Sequence, residues 1–288
     1  MIDGIINVYK EAGFTSFDVV AKLRGMLGQK KIGHTGTLDP DATGVLPVCL
    51  GKATKVVDLL TDWSKTYKAT MLLGIQTDTG DISGKEIAVD EFANEKVKDY
   101  TEKQIKDILN SFLGKTMQIP PMYSALKVNG KKLYEYAREG KSIERQPREI
   151  NITTIELLVF SGLEISFVAN VSKGTYIRTL CEDIGKKLNT LGTMKSLERI
   201  SVGIFHKSKA LTLDQIDSII HKDEEKELSY LLPYVTNIQD VFSGYLKVFV
   251  KEDSDFKLSN GNKLEKNDIS YIVKTLDTKS NDKLDLKE

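Results

Sequence analysis

The sequence predicts an α+β protein in which strands alternate with capped helices. The strand pattern is clearest from Leu163 to Val171, where every second position is apolar, as in a half-buried strand. The helix pattern is clearest after Thr101, which forms a capping box with Gln104 and precedes apolar residues at helical spacing. Both patterns recur along the chain, and together they predict the fold class but not the order of the strands.

The individual elements follow from local signals taken in order. The first strand is a β-branched run from Ile5 to Tyr9, and the first helix is capped by Ser16 and ends before Gly28. The pair Asn129-Gly130 predicts a hairpin turn. Similar signals predict strands at 45–50, 65–74, 148–160 and 163–172, and helices at 53–60, 102–112, 131–138, 177–188 and 212–220.

One stretch, residues 33–44, fits neither pattern. It reads GHTGTLDPDATG, with three glycines, one proline and three threonines, a composition that excludes a regular helix or strand. Pro40 pushes Asp39 out of the helical region of backbone space. The sequence therefore predicts a structured loop that holds the Asp39 carboxylate in one place, with His34 five residues earlier. Composition alone also permits a plain turn in which Asp39 caps its own backbone.

The charge of the chain is balanced overall but unevenly spread. The 41 basic and 41 acidic side chains give a net charge of zero, which is not typical of a strongly basic nucleic-acid binder. Residues 211–288 carry a net charge of −5, so residues 1–210 carry +5. The approach to the loop, residues 22–36, has four basic and no acidic side chains. Such a patch is either a solvated face or a surface that contacts phosphates.

Spacing argues against metal, nucleotide and membrane sites. Cys49 and Cys181 are too far apart for a zinc motif, and two cysteines make no disulfide framework, so we expect a reducing cytoplasm. A P-loop needs four residues between its glycines and Ser or Thr after its lysine, whereas residues 44–54 have six, and Ala53 follows Lys52. Neither a membrane-spanning apolar run nor a signal-peptide pattern is present in the sequence.

The loop carries a much more specific signal than its composition. The run GHTGTLDPDATGVLP resembles the signature of the bacterial tRNA pseudouridine synthase B family, also called tRNA uridine-55 synthases. In that family the aspartate of the motif is catalytic, and the resemblance places this role on Asp39. The opening segment is also similar, with Lys10 and Ser16 retained, although Glu11 stands where the family usually has a proline.

Further motifs extend the resemblance over about residues 4–232 and imply two more catalytic residues. The segment that begins Lys65-x-Tyr67 implies that the Tyr67 ring stacks on the target base, and its hydroxyl is a candidate for proton transfer. The run KGTYIR implies that Arg178 pairs with the catalytic aspartate and lowers its pKa. By helical phase alone, Arg178 lies off the apolar face and is predicted to be exposed.

The resemblance also implies a base pocket and an RNA-binding surface. Leu197 and the backbone of Tyr176 would line the pocket, and His34 would fill the space that the extruded base leaves. For His34 a plain hydrogen bond within the loop is the alternative. A family-like run, PPMYSALKVNGKKLYEYAR, opens a basic stretch over 127–148 that is expected to meet RNA backbone.

The implied activity is isomerisation of uridine to pseudouridine at position 55 in the T loop of tRNA. The uridine would be flipped out, its glycosidic bond cleaved and the base rejoined through carbon. This chemistry involves no redox change and no group transfer, so we expect no cofactor and no metal. We expect the tRNA T-arm stem-loop as partner, no membrane contact, no obligate protein partner, and a monomer.

The resemblance implies a fold and a domain organisation. The fold would be that of pseudouridine synthases, with a central, mainly antiparallel mixed sheet flanked by helices. Residues 1–232 would form the catalytic domain and residues 233–276 a small PUA-like RNA-binding domain. That second domain is shorter and more acidic than is usual for the family. Residues 277–288 are polar and without periodicity, and we expect a disordered tail.

Two other classes of protein share some of these features. An RNA-binding module or tRNA-folding chaperone without catalysis would not need Asp39, Tyr67 and Arg178, so their presence argues for an enzyme. A glycosidase would need a second carboxylate beside the first, and Asp41 is the only candidate nearby in the sequence. Mapping pseudouridine in tRNA after incubation with the protein would separate the three classes.

Overall fold

A computed structural model describes residues 1–222, 227–273 and 283–284. The chain divides into two compact units, Met1–Val235 and Thr236–Glu288. Apart from the short strand at 283–284, the predicted tail at 277–288 lies outside the described residues, and the predicted functional domains stay a prediction. Within the described part of the chain, no helix is both long enough and apolar enough to cross a bilayer.

The first unit is built around one large sheet with two small hairpins beside it. Its strands are β1 Gly4–Lys10, β2 Ile32–His34, β3 Thr43–Leu50, β4 Lys65–Leu73, β5 Ile75–Thr77, β6 Glu86–Val89, β7 Gly114–Gln118, β8 Lys127–Val128, β9 Lys131–Lys132, β10 Arg148–Ser161, β11 Glu164–Val171, β12 Gly192–Val202 and β13 Phe205–His206. In the large sheet the order is β1-β3-β12-β4-β11-β10-β7, with β2 beside β3 and β13 beside β12. The β3–β12 pair is parallel, and its neighbours pair antiparallel. The predicted mainly antiparallel mixed sheet is confirmed.

Two groups of helices cover this sheet and form two apolar cores. The helices are α1 Ser16–Leu27, α2 Val57–Thr61, α3 Ala93–Val97, α4 Glu102–Asn110, α5 Leu133–Arg138, α6 Ile177–Lys187 and α7 Leu213–Ile220. Helices α1 and α7 pack with β1 and β3 in one core, whereas α4 and α6 pack with β4, β10 and β11 in the other. Leu38 and Ala42 of the loop belong to the second core. The loop of interest therefore packs against the core that contains α4 and α6.

Several local predictions are confirmed and others are wrong for identifiable reasons. The Thr101 capping box is present, and the Asn129-Gly130 turn has both residues at positive φ. The first helix, however, is capped by Thr15 through a box with Asp18, and Ser16 serves the loop instead. The strand β12 has no predicted counterpart, because two register shifts break the alternation that reveals a strand.

The second unit is a small three-stranded sheet with short helices. Its elements are α8 Ile238–Val241, β14 Lys247–Val250, α9 Asp255–Ser259, β15 Ile269–Val273 and β16 Lys283–Leu284. The buried Asp268 carboxylate accepts hydrogen bonds from Lys257 Nζ (2.8 Å), Ser254 Oγ (2.7 Å) and the Glu265 amide (2.8 Å). These bonds lower the pKa of Asp268 to about 2. The PUA-like assignment of this segment stays a prediction.

Candidate active site

The loop between β2 and β3 is fastened first by Lys10. Its side chain is fully buried at the end of β1, and Nζ donates to the carbonyls of Phe14 (2.7 Å), Pro40 (2.9 Å) and Glu11 (3.0 Å). Burial lowers the pKa of Lys10 to about 8, partly offset by Asp39 and Asp41. The Pro40 carbonyl, next to Asp39, is thus fixed by a cation that has little room to move.

A second fastening comes from the start of α1. The Leu38 amide donates to Ser16 Oγ at 2.9 Å, and both residues are buried. Ser16 can make this bond because Thr15, not Ser16, caps the helix. The residues on either side of Asp39 are therefore tied to different parts of the structure, so the Asp39 backbone is held from both directions.

The third fastening is Arg199, on β12. Its side chain is 1% exposed, and the guanidinium donates from Nε to the Val45 carbonyl at 2.7 Å and from Nη2 to the Gly36 carbonyl at 3.1 Å. A longer contact of 3.4 Å joins Nη1 to the Thr37 carbonyl. Arg199 thus binds backbone carbonyls on both sides of Asp39 in the sequence. This role was not predicted from the sequence. The available signal was an arginine two positions after Leu197, which the family resemblance places in the base pocket.

Asp39 faces Arg178 on the first turn of α6. Arg178 Nε lies 3.1 Å from Asp39 Oδ2, and Nη2 lies 3.5 Å from Oδ1. The Arg178 side chain is 7% exposed and the Asp39 side chain 38%. The exposure predicted for Arg178 from helical phase alone is wrong, because the N-terminal turn of α6 is covered by the loop and by two other segments.

Those two segments are also bound by Arg178. Its Nη1 donates to the Thr79 carbonyl and its Nη2 to the Tyr123 carbonyl, both at 2.8 Å. Its Nε also lies 3.9 Å from Asp81 Oδ2. The guanidinium therefore joins α6, the loop and two further chain segments, and its rotamer is fixed by contacts in several directions.

Asp81 is a second carboxylate that was not predicted from the sequence. Its Oδ1 accepts from Thr79 Oγ1 (2.9 Å) and from the amide (3.1 Å) and hydroxyl (2.5 Å) of Ser83. Its other oxygen, Oδ2, faces Arg178 Nε at 3.9 Å. Asp81 acts on the Asp39 charge more strongly than Asp41 does, so the prediction that Asp41 is the only carboxylate nearby is wrong. Asp81 could not be predicted from the loop motif, because it lies 42 positions from Asp39 in the sequence.

The electrostatic balance at Asp39 differs from the one predicted. Burial raises the pKa of Asp39, and the Arg178 charge opposes this but does not cancel it. Asp81 and Asp41 raise the pKa further, whereas Lys10 lowers it. The net direction is upward, so the prediction of a lowered pKa from pairing alone is wrong. A carboxylate that is poorly hydrated yet oriented by an arginine is suited to act as a nucleophile or a base.

Tyr67 and Leu197 lie on one face of the sheet beside the loop. Tyr67, on β4, is 9% exposed and shares an apolar cluster with Leu38 and Ala42. Leu197, on β12, pairs with Ala69 two residues further along β4, and it packs against the same cluster. The structure therefore brings Tyr67 and Leu197 to the loop that carries Asp39.

The two remaining predicted site residues, Tyr176 and His34, each make hydrogen bonds within the protein. The Tyr176 amide donates to Gln118 Oε1 at 2.8 Å, and its carbonyl accepts from Gln118 Nε2 at 3.1 Å. His34 Nδ1 accepts from the Gly36 amide at 3.2 Å. Burial and the Arg199 charge lower the pKa of His34, which favours a neutral ring. The loop hydrogen bond that was the alternative for His34 is thus present.

The described residues include no convergent set of three or more His, Cys, Asp or Glu side chains that could hold a metal ion. Both cysteines are buried free thiols.

The fold and the site together define an α+β enzyme in which a partly buried aspartate on a fixed loop pairs with a buried arginine.

Comparison with known proteins identifies the family. The family model described as TruB family pseudouridylate synthase, N-terminal domain, matches residues 24–177, and the tRNA pseudouridylate synthase B C-terminal domain matches residues 178–241. The chain is 48% identical to tRNA pseudouridine synthase B of Clostridium novyi (strain NT), over 90% of this chain and 84% of that protein. It is 47% identical to the protein of that name from Lachnoclostridium phytofermentans, over 94% of this chain and 87% of that protein. The chain belongs to the TruB family of pseudouridine synthases, which are isomerases.

Solved structures give the same result for the fold. The chain matches the crystal structure of a Cbf5-Nop10-Gar1 complex with a TM-score of 0.71 and 30% identity, over 92% of this chain and 69% of that one. It matches an H/ACA RNP bound to a substrate RNA containing 2′-deoxyuridine with a TM-score of 0.68 and 27% identity, over 93% and 69%. The predicted pseudouridine synthase fold is confirmed.

Proposed function

We propose that the protein isomerises uridine to pseudouridine at position 55 in the T loop of tRNA. The names of its relatives support tRNA as the substrate, and the resemblance of the loop motif supports the position. The observation that carries the proposal is the pairing of Asp39 with buried Arg178, at 3.1 Å, on a loop fastened by Lys10, Ser16 and Arg199.

The reaction needs one well-placed carboxylate and no outside reagent. The bond from C1′ to N1 of uracil breaks, the base turns, and a bond from C1′ to C5 forms. C5 loses a proton and N1 gains one, so atoms and electrons balance within the nucleotide. Asp39 would attack C1′, attack C6 of the base, or remove a sugar proton, and each route uses the ionised carboxylate.

Arg178 would orient this carboxylate and favour its charged form. Asp39 is raised in pKa by burial, so without a cation beside it a larger fraction would be protonated and inactive. The two-pronged approach through Nε and Nη2 also fixes the rotamer of the carboxylate. Asp81 would add a second negative charge near the same guanidinium nitrogen, Nε, at 3.9 Å.

The base would have to leave the T-loop stack to reach Asp39. Tyr67 would then stack on the extruded uracil, a contact worth about 1–3 kcal/mol per base, and its hydroxyl is the proposed proton-transfer group. Leu197 would close the pocket. The Tyr176 backbone would line the pocket with its polar groups already bound: the amide donates to Gln118 Oε1, and the carbonyl accepts from Gln118 Nε2 and from the Leu180 amide, each at 3.1 Å.

The region after Tyr123 offers a surface for the RNA backbone. Lys131 lies over the Tyr136 ring at 4.8 Å, and both Lys132 and Arg138 lie over the Tyr134 ring, at 5.3 and 5.2 Å. The Tyr134 ring thus brings two cations together, and Lys131 also pairs with Glu139. A cluster of cations suits contact with phosphates. We propose that this cluster binds the T arm, and that the protein acts as a monomer in the cytoplasm.

The test is a pseudouridine map of an unmodified tRNA transcript after incubation with the protein. The expected result is one new pseudouridine, at position 55, in the full tRNA and in an isolated T-arm stem-loop. A free uracil product would indicate a glycosidase instead. Binding without product would indicate a chaperone. Product at another position would refute the assignment of the T loop while leaving the enzyme class intact.

A further inference from the structure

We infer that Gln118 is a positioning residue that holds Arg178 in its reactive orientation without touching the reacting atoms. The inference rests on the roles proposed above for Asp39 and Arg178. Gln118 is the last residue of β7, a strand at the edge of the large sheet. The four residues before it are exposed, whereas Gln118 is 5% exposed. A buried primary amide at the end of an exposed strand needs partners for both of its polar groups.

Both partners come from a single residue of the chain, Tyr176. Gln118 Oε1 accepts from the Tyr176 amide at 2.8 Å, and Gln118 Nε2 donates to the Tyr176 carbonyl at 3.1 Å. We call this two-point contact the Gln118 clamp. It uses the full donor and acceptor set that one face of a primary amide offers, so a residue with only one of the two functions cannot replace it.

The clamp acts where α6 begins. Tyr176 is the N-cap of α6, and in the described structure its side chain makes no capping bond. Arg178 lies only two residues further on, within the first turn. The Gln118 clamp is therefore a principal restraint on the direction in which α6 starts. A second and weaker restraint is the 3.5 Å contact between Thr179 Oγ1 and the Ile119 carbonyl.

The segment that follows Gln118 returns to Arg178. Pro120 and Pro121 restrict the backbone, and the Tyr123 carbonyl then accepts from Arg178 Nη2 at 2.8 Å. Hydrogen bonds at Gln118 and at Tyr123 thus hold the two ends of the segment 118–123 against the first turn of α6. If the Gln118 end is released, the Tyr123 carbonyl shifts, and the guanidinium loses one of the contacts that set its rotamer.

The main test variant is Gln118→Met, which keeps the shape and removes both polar functions. We expect the single-turnover rate of pseudouridine formation to fall by about 10²-fold, as for a misplacement of about 1 Å at a reacting group. Affinity for tRNA should stay within about twofold, because Gln118 is buried and makes none of the phosphate contacts that set affinity. The matched control is Gln104→Met, which removes the cap bond to the Thr101 amide on the exposed first turn of α4.

The pH profile separates positioning from a general loss of stability. Four charged groups act on the Asp39 carboxylate. They are Arg178 on α6, Asp81 on the segment after β5, Lys10 on β1 and Asp41 on the same loop as Asp39. Gln118→Met should weaken only the Arg178 contribution, so the acid limb of the rate should move to higher pH. An unmoved limb, a rate within about threefold of wild type, or an equal fall in Gln104→Met would each overturn the inference.

A second variant, Gln118→Glu, tests the two-point contact directly. A protonated carboxyl offers one O–H donor and one acceptor, the same pattern as the amide, whereas the ionised form has no donor. The rate of Gln118→Glu relative to Gln118→Met should therefore rise as the pH is lowered, and a constant ratio would contradict the clamp. Failure of the wild-type protein to form pseudouridine would defeat the proposed function, whereas a wild-type rate in Gln118→Met would defeat this inference alone.

Discussion

At the scale of single residues, the proposed chemistry depends on the Asp39 carboxylate. We expect Asp39→Asn to reduce the rate of pseudouridine formation by many powers of ten, because the amide has neither the charge nor the nucleophilic oxygen. Affinity for tRNA should survive or increase, since a charge that repels phosphates is removed. The measurement is product formed under enzyme excess, beside tRNA affinity at fixed salt. Product at a hundredth of the wild-type rate would mean that another residue carries the chemistry.

Arg178 offers a second test at this scale. Arg178→Lys keeps the positive charge but cannot pair through two nitrogens and also reach the carbonyls of Thr79 and Tyr123. We expect a large loss of turnover with tRNA binding little changed. Near-normal turnover would remove Arg178 from the catalytic set. The variant Lys186→Arg is a suitable control, because Lys186 lies on the same helix in an exposed pair with Asp183.

The raised pKa of Asp39 predicts how activity depends on pH. Burial raises the pKa of Asp39 above its usual range, even with Arg178 beside it. The proposed mechanism requires the ionised form, so we expect activity to be present above this pKa and to be lost as the pH falls through it. The acid limb of kcat/KM, which reports the free enzyme, should therefore lie above the ordinary aspartate value of about 3.9. A limb at or below that value would contradict the burial argument.

At the scale of elements, the contact between the loop and β12 is the critical one. Gly44 has a φ of +112°, and a Cβ there would lie 2.2 Å from the Arg199 carbonyl oxygen. Gly44→Ala should therefore lower the stability of the fold by about 1–3 kcal/mol or more, and it should displace the loop and reduce activity. Thermal unfolding and single-turnover rates measure the two effects.

Gly25 provides the control for this substitution. It lies inside α1, and a Cβ added there would enter open space. Alanine is favoured over glycine in a helix by about 1 kcal/mol. Gly25→Ala should therefore leave activity unchanged and raise the unfolding temperature slightly. If Gly44→Ala were equally harmless, the close packing of the loop on Arg199 would not be needed for the fold.

At the scale of the whole molecule, the division into two units predicts a separation of functions. Every candidate site residue lies within Met1–Val235. A chain that ends at Val235 should therefore keep the single-turnover rate at saturating tRNA and lose affinity moderately. Circular dichroism would show whether the shortened chain is folded. A folded but inactive chain would place the C-terminal segment in the catalytic domain.

The family and the fold class were predictable from the sequence alone, and a candidate site centred on Asp39 was predicted with them. A contiguous motif was sufficient to predict Asp39 as the candidate catalytic residue on a structured loop. Helix caps and the Asn129-Gly130 turn were also predictable, because each is decided within a few residues. These features share one property, namely that the interacting groups are close in sequence.

Only the tertiary structure decided the features that join distant segments. The burial of Arg178, the nearness of Asp81 to Asp39, the hydrogen bonds from Arg199 to the loop and the Gln118 clamp all link residues at least 42 positions apart. The direction of the Asp39 pKa shift belongs with them, because desolvation depends on everything packed around the carboxylate. Periodicity reports which face of an element is apolar, but it does not report which chain segment covers the other face.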